Sequence, residues 1–236
     1  EIIDLIQQGI IPPMNEEQWK DIPLFLSRSF YHTGNLEKTY NIMYSADLTK
    51  YSGDDLTLFV RSALFVGDAD SARGAAALMK TDQVRYAESL MLIGDHYRNK
   101  KENSGAIDHY VRVVTECPAS PLAERAKIDL AGVYLAEKRP ADAVDALEAI
   151  TSQSFMIDKN MLLVVAFFNL GYYEKALLLT EKALPFVRKN PNGEGVVMLN
   201  LEYHYDRRNL KEFNRLLQYL PQSAMSSPRV LYMNAM

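Results

Sequence analysis

The sequence predicts an all-α fold, a solenoid of about six helical hairpins stacked in chain order, and three observations carry that prediction. Thr39, Ala72, Ala106, Ala143, Ala176 and Phe213 recur at spacings of 33, 34, 37, 33 and 37 residues. Gly94 and Ala131, Tyr97 and Tyr134, and Ala106 and Ala143 form three pairs, each separated by 37 residues. Gly34, Gly67 and Gly171 each stand five residues before one of the recurring positions. A period of this length holds two helices and their turns. One hairpin cannot bury its apolar face alone, so neighbours must stack.

The first hairpin is read over residues 21–51, with Gly34-Asn35-Leu36-Glu37-Lys38-Thr39 as its turn and the start of its second helix. Glycine at the turn permits the positive φ that ends a helix. Pro23 leaves two descriptions open for the preceding helix. One starts at Asn15, whose spacing to Gln18 is that of a capping box, and is interrupted at Pro23; the other starts afresh at Asp21. The second hairpin, 54–85, opens on the capping-box pair Ser52 and Asp55 and turns at Gly67-Asp68-Ala69-Asp70-Ser71-Ala72.

The third hairpin, 87–120, carries Ile93-Gly94-x-x-Tyr97 and Ala106-x-x-x-Tyr110 and closes at Pro118. The fourth, 124–156, repeats it with Leu130-Ala131-x-x-Tyr134, Ala143-x-x-x-Leu147 and Ile150. A small residue lets two helices approach at their crossing, and a large one fills the space beside it. The fifth, 158–191, contains the most apolar run, Met161 to Phe168, with Leu163, Ala166 and Phe167 at the spacing of a buried helix. It turns at Gly171-Tyr172-Tyr173-Glu174-Lys175-Ala176, and Pro185 is expected to end or kink its second helix near Leu184. The sixth, 195–222, follows a turn read at Asn192-Gly193-Glu194-Gly195 and rests on Leu210, Phe213, Leu217 and Leu220. Residues 1–14 and 226–236 read as partial flanking helices, so that 1–236 is a single solenoid. The chain begins at Glu1 and both ends resemble interior repeats cut short. A piece of a longer protein, or a mature chain trimmed of its leader, is the expectation.

These landmarks resemble the tetratricopeptide repeat, in which the first helix (A) carries L-G-x-x-Y and the second (B) carries A-x-x-x-F before a proline. The resemblance spans roughly Asp21 to Leu220 and is specific in the third and fourth hairpins. It implies a right-handed superhelical solenoid. Cys117-Pro118-Ala119-Ser120-Pro121-Leu122-Ala123-Glu124-Arg125-Ala126 is similar to the P-x-S-P-x-A-x-x-A junction of envelope-associated bacterial members, of the outer-membrane assembly lipoprotein and Tol-Pal coordinator type. That junction points to the periplasm or envelope rather than the cytoplasm. It also has a local meaning: Ser120 can cap the next helix, Pro121 suits its first position and Glu124 favours its positive end.

Composition bounds the function. A hydrophobic content of 48% supplies a core and excludes general disorder. A net charge of −4 argues against a nucleic-acid surface, which needs a clustered positive excess. Arg98-Asn99-Lys100-Lys101 and Arg207-Arg208 read as solvated turns between helices. Cys117 is the one cysteine, so no internal disulfide can form and no cysteine metal cluster exists. The apolar run at 161–168 is far below the ~20 residues a membrane span requires. His32, His96, His109 and His204 are scattered, and no H-E-x-x-H, G-x-S-x-G, P-loop or G-x-G-x-x-G occurs. Asp68-x-Asp70 lacks the rest of a calcium loop, and Asp54 and Asp55 fit a helix N-terminus. No catalytic residue, metal ligand or cofactor is therefore expected, and the chain reads as non-enzymatic.

What the resemblance implies instead is binding, because A helices side by side leave a concave face. Carried over from the register of Gly94 and Tyr97, that face holds Phe25, Arg28, Tyr31 and His32; Thr57, Leu58, Arg61, Leu64 and Phe65; Glu88, Met91, Leu92, Asp95, Arg98 and Asn99. It continues with Arg125, Ile128, Asp129 and Leu135; Met161, Leu162, Val165 and Phe168; Met198, Glu202, Tyr205 and Asp206. The partner-binding set expected from it is Phe25, Arg28, Tyr31, Arg61, Phe65, Met91, Asp95, Arg98, Met161, Phe168, Glu202 and Tyr205. The Lys and Asn pattern with which chaperone-associated members hold a peptide carboxylate is missing. A face rich in Phe, Tyr and Met fits an apolar helix or extended segment of a partner protein. On this reading Arg28→Ala or Tyr31→Ala weakens a partner with little change in melting temperature. Two other readings stay open: a self-associating module, and the regulatory arm of a larger enzyme.

Overall fold

A computed structural model of the chain describes residues 16–234, with side chains from Ile22 onward. Asn15, half of the first capping box, and the apolar segment 2–6 lie outside the described residues. The described residues form only helices and their connections, in two compact units, one ending at His96 and one beginning at Tyr97.

The first unit holds α1 (Glu16–His32), α2 (Leu36–Tyr44), α3 (Gly53–Val66) and α4 (Ala69–Leu78), with a 3-10 turn at Leu48–Lys50. Helix α5 (Gln83–Asn99) spans the division. The second unit continues with α6 (Asn103–Glu116), α7 (Leu122–Ala136), α8 (Pro140–Glu148), α9 (Met156–Asn169) and α10 (Tyr173–Ala183). It ends with α11 (Gly193–Asp206), α12 (Leu210–Leu217), α13 (Gln222–Met225) and α14 (Pro228–Asn234). Within the first unit α1, α2, α3 and α4 pack in succession, and α1 also touches α3. Within the second, α6 to α12 do the same, with α7 against α9 and α9 against α11. Odd-numbered helices are therefore neighbours of odd-numbered helices, the arrangement that lines one face with A helices.

The recurring positions are all interior. Thr39, Ala72, Ala106, Ala143 and Ala176 have no exposed surface, and Phe213 has almost none. Thr39 also reaches across its hairpin, its Oγ1 donating to the Ser27 carbonyl at 3.2 Å. Tyr97 lies over the backbone of Gly105, where an added Cβ would come within 2.7 Å of the ring. The ring stacks on His109, 5.4 Å between centroids. The small-beside-large pairing thus runs from Tyr97 to Gly105, the residue preceding Ala106. In the second unit one core cluster runs from Ile128 through Leu163 and Leu201 to Met233.

All six hairpin turns share one backbone conformation. The residue five before the landmark has positive φ in each: Gly34, Gly67 and Gly171 at 79°, 88° and 75°, and Lys101, Lys138 and Arg208 at 61°, 57° and 54°. Its N–H donates three residues back, and the next N–H donates five residues back, as in Asn35 to the Phe30 carbonyl at 2.8 Å and Arg139 to the Tyr134 carbonyl at 2.8 Å. This is the Schellman closure of a helix. The residue after it is already the N-cap of the second helix, and Asn35, Asp68 and Asn209 accept a hydrogen bond there.

Three local readings change. Helix α1 runs through Pro23 without a break, so neither the interruption nor the new start at Asp21 occurs; tertiary packing holds a helix that gives up one backbone bond. Of Asn192-Gly193-Glu194-Gly195 only Asn192 lies in a turn, because α11 begins at Gly193. A Cβ on Gly193 would lie 1.9 Å from the Val187 carbonyl oxygen, so glycine allows the helix start to rest directly on the preceding backbone. Pro185 does end the B helix, as the second residue of a 3-10 segment, Leu184–Lys189.

Candidate partner-binding site

The charged members of the A-helix row are tied to their neighbours. In the first unit the Arg28 guanidinium donates to the Asp55 carboxylate from Nε at 2.7 Å and from its terminal nitrogen at 3.0 Å. Ser52 caps α3 by accepting from the Asp55 N–H at 3.3 Å, while its hydroxyl donates to the same carboxylate at 2.5 Å. Burial alone would raise the Asp55 carboxyl, but Arg28 and Ser52 outweigh it and hold it below the usual carboxylate range. Arg61 donates to Glu88 at 2.7 Å, again from one odd-numbered helix to the next. Arg28 is therefore a bracket between α1 and α3. This geometry argues against an Arg28→Ala variant of nearly unchanged stability, because the substitution strands a carboxylate that is only 3% exposed.

The apolar members divide. Phe25 and Phe65 present about two thirds of their surface, at 64% and 65%. Tyr31 and Asp95 are half-buried on α1 and α5, and Tyr31 meets His32 edge to face at 5.8 Å. Met91 and Met161 are buried and belong to the core; they offer a partner no surface, because these positions turn inward under the adjacent helix. In the second unit Phe168 joins Tyr173 and Tyr203, Glu202 pairs with Arg229 at 2.6 Å, and Tyr205 lies between Phe213 and Tyr232.

The second unit contains a recess of about 440 Å³ on this A-helix face. Its apolar wall is Ile128 and Leu162, and Gly132 opens it: nothing lies within 4 Å of where a Cβ would be. One rim is Asp129, buried, receiving Arg98 at 2.7 Å from α5 and Arg125 at 2.6 Å from its own helix. The opposite rim is Asp158, to which Asn190 donates at 2.6 Å, together with Pro191 and Asn192. The Asn190 carbonyl oxygen of the side chain accepts from the Asn192 N–H at 2.9 Å and fixes that link in front of Gly193.

The junction before α7 supports this geometry. Ser120 Oγ accepts from the Leu122 N–H at 3.2 Å, but the N-cap is Pro121, which makes no side-chain cap bond, so the cap expected at Ser120 and the first position expected at Pro121 are each displaced by one residue. Glu124 does more than face the positive end of its helix. Its carboxylate accepts from the N–H groups of Thr151 and Ser152 at 3.0 and 3.1 Å and from Lys127 at 3.0 Å. It thereby fastens the link that follows α8 to the start of α7.

Sequence reasoning named Arg98, Arg125, Ile128, Asp129 and Leu162 for this face and missed Gly132, Asp158 and the 190–192 link. Gly132 was detectable: counting eleven residues back from each landmark gives Arg28, Arg61, Asp95, Gly132, Val165 and Glu202. One glycine in a row of larger side chains marks the opening. Among the described residues no group of His, Cys, Asp and Glu could hold a metal ion, and no helix is long and apolar enough to cross a membrane. Cys117 is buried at the end of α6, where burial pushes its thiol up.

No family model and no curated protein matches the chain. Among solved structures it is similar to Pseudomonas aeruginosa PilF, with 15% identity, 93% of this chain and 98% of that chain covered, and a TM-score of 0.58. PilF is a tetratricopeptide-containing protein, and at this identity the likeness speaks for fold. The fold is an all-α, tetratricopeptide-like solenoid of helical hairpins.

Proposed function

We propose that the chain is a non-enzymatic scaffold that holds a helix or extended segment of a partner protein against the A-helix face of its second unit. The observation that carries this reading is the recess at Gly132, which sets Ile128 and Leu162 among charged and polar side chains on the face where the resemblance expects a partner. A slot lined by Ile128 and Leu162 buries one large apolar side chain, and burying such a group contributes about 1.5–3 kcal/mol. The rims set register: the Arg98–Asp129–Arg125 group carries two cations on one carboxylate, and Asp158 faces it with a negative charge. The bacterial cell envelope is the proposed setting, supported by the junction at 117–126.

The test is a quantitative comparison of co-purified proteins from native cells. The intact protein would be captured as wild type, as Gly132→Trp, which fills the slot, and as Leu178→Glu, which alters an exposed position away from it. A partner lost with Gly132→Trp and kept with Leu178→Glu supports the proposal. Equal recovery with all three sinks it.

A further inference from the structure

The link in front of α11 carries a covalent chemistry of its own. Asn192-Gly193 is the one Asn-Gly pair in the chain. An asparagine side-chain amide stands next to the backbone nitrogen that follows it, and glycine, without a Cβ, leaves that nitrogen unshielded. Asn190, two residues earlier, has no such route, because Pro191 has no N–H to give up.

The reaction consumes only water. The Gly193 backbone nitrogen bonds to Cγ of Asn192, the Cγ–Nδ2 bond breaks, and ammonia leaves with the proton that the backbone nitrogen gives up. Water then opens the succinimide ring at either C–N bond. Opening at Cγ leaves aspartate; opening at the backbone carbonyl carbon leaves isoaspartate, with an extra methylene in the main chain. Nothing is oxidised or reduced.

The fold holds the reacting groups off this path. Asn192 has φ −87° and ψ −6°, a helical conformation. Ring closure needs Cβ and the Gly193 nitrogen nearly eclipsed about the Asn192 Cα–C bond, and a ψ near zero keeps them well apart. Hydrogen bonds resist the rotation that would bring them together. The Gly193 N–H donates to the Asn190 carbonyl at 3.0 Å, and the Asn192 carbonyl accepts from the Val196 N–H at 3.1 Å. The Asn192 N–H is held by the Asn190 side chain at 2.9 Å, and that side chain is tied in turn to Asp158 at 2.6 Å. Rotation would also swing Gly193, which is buried and rests directly on the Val187 backbone.

We infer that Asn192-Gly193 is a latent deamidation site, kept as the amide by the folded 190–193 link and converted only when that link opens. Either product adds a carboxylate to the recess that Asp158 already lines, and isoaspartate lengthens the backbone where Gly193 has no slack. The inference rests on the geometry of the link alone and holds whether or not a partner occupies the recess. Where opening and closing are fast relative to the reaction, its rate follows the population of the open form.

The test is incubation of the intact protein, and of a synthetic peptide with the sequence of residues 188–196, in heavy-oxygen water at mildly alkaline pH. Peptide mapping by mass spectrometry then reads the heavy oxygen fixed at position 192, and digestion in ordinary water leaves that signal unaffected. Conversion in the folded protein should be at least about ten-fold slower than in the peptide. Asn190→Ala, which releases the Asn192 N–H and Asp158 together, should speed conversion in the folded protein about five-fold or more. Asp158→Ala loosens Asn190 from outside the link and keeps the test sound where Asn190→Ala lowers the melting temperature. The converted fraction, separated by anion exchange, should melt below the starting protein. Equal rates in protein and peptide overturn the inference, as does a wild-type rate in both variants.

Discussion

The same position of the A helix is closed on α1 and α3 and open on α7. In the unit ending at His96 it holds Arg28 and Arg61, each bound to an acid on the next odd-numbered helix. In the unit beginning at Tyr97 it holds Gly132 on α7, which lines a recess, and Val165 and Glu202 on α9 and α11. On the proposed function, the difference separates support from binding by side chain alone. A long paired side chain braces two hairpins, whereas a missing one leaves a slot that the neighbours must brace by other means, here Glu124 and the 190–192 link.

The sharpest way to break the open region is to attack its far wall. Gly193→Ala places a methyl group on the Val187 carbonyl, which neither backbone can avoid. It should cost about 3 kcal/mol and lower the melting temperature by about 6–12 °C in a calorimetric scan, with the recess distorted. A variant that melts like wild type would show that the close approach is not required.

The closed region breaks next. Arg28→Ala leaves the Asp55 carboxylate buried beside Ser52 alone, and part exposure of the arginine holds the loss to about 1–2 kcal/mol in urea unfolding. The same pair sets a pH dependence. The folded carboxyl lies below its ordinary value of about 4, so its stabilisation is fully present above that value and is lost as pH falls through the folded one. Stability of the wild type should hold from neutral pH to about 4 and fall below it, and this particular loss should be smaller in Arg28→Ala. An unchanged acid limb in the variant would assign the fall to other carboxylates.

Smaller effects sharpen the comparison. Lys101→Gly removes a left-handed conformation from a residue with a side chain and should stabilise by about 1 kcal/mol, as should Lys138→Gly and Arg208→Gly. Gly34→Ala should lose a similar amount. Gly132→Ala meets no neighbour and raises helix propensity, so it should stabilise by up to ~1 kcal/mol while it narrows the slot. Gain of stability with loss of a partner would mark Gly132 as retained for binding, and gain with no loss would remove that role.

Much of the scaffold was readable in the chain, for specific reasons. The landmarks Thr39, Ala72, Ala106, Ala143 and Ala176 are small because two helices cross there, and that requirement acts locally and repeats. Gly34, Gly67 and Gly171 announced their turns because a positive φ favours one residue type. The matching turns at Lys101, Lys138 and Arg208 carried no such signal, since context imposes the conformation on residues that do not prefer it. The two faces of the A helix were harder to separate. Met91 and Met161 follow the groove pattern yet are buried, because the amount of a helix covered depends on how closely the next hairpin packs.

The sequence by itself determined the helical hairpins, their order, the three glycine turns and the small residues at the helix crossings, because these follow from periodicity, steric size and backbone conformation over a few residues. Only the tertiary structure decided which charges are spent between helices, that α11 starts hard against the Val187 backbone, and where an opening remains. Those depend on distances between residues roughly one repeat apart, as with Arg28 and Asp55 or Tyr173 and Tyr203, and no local preference of either residue encodes them.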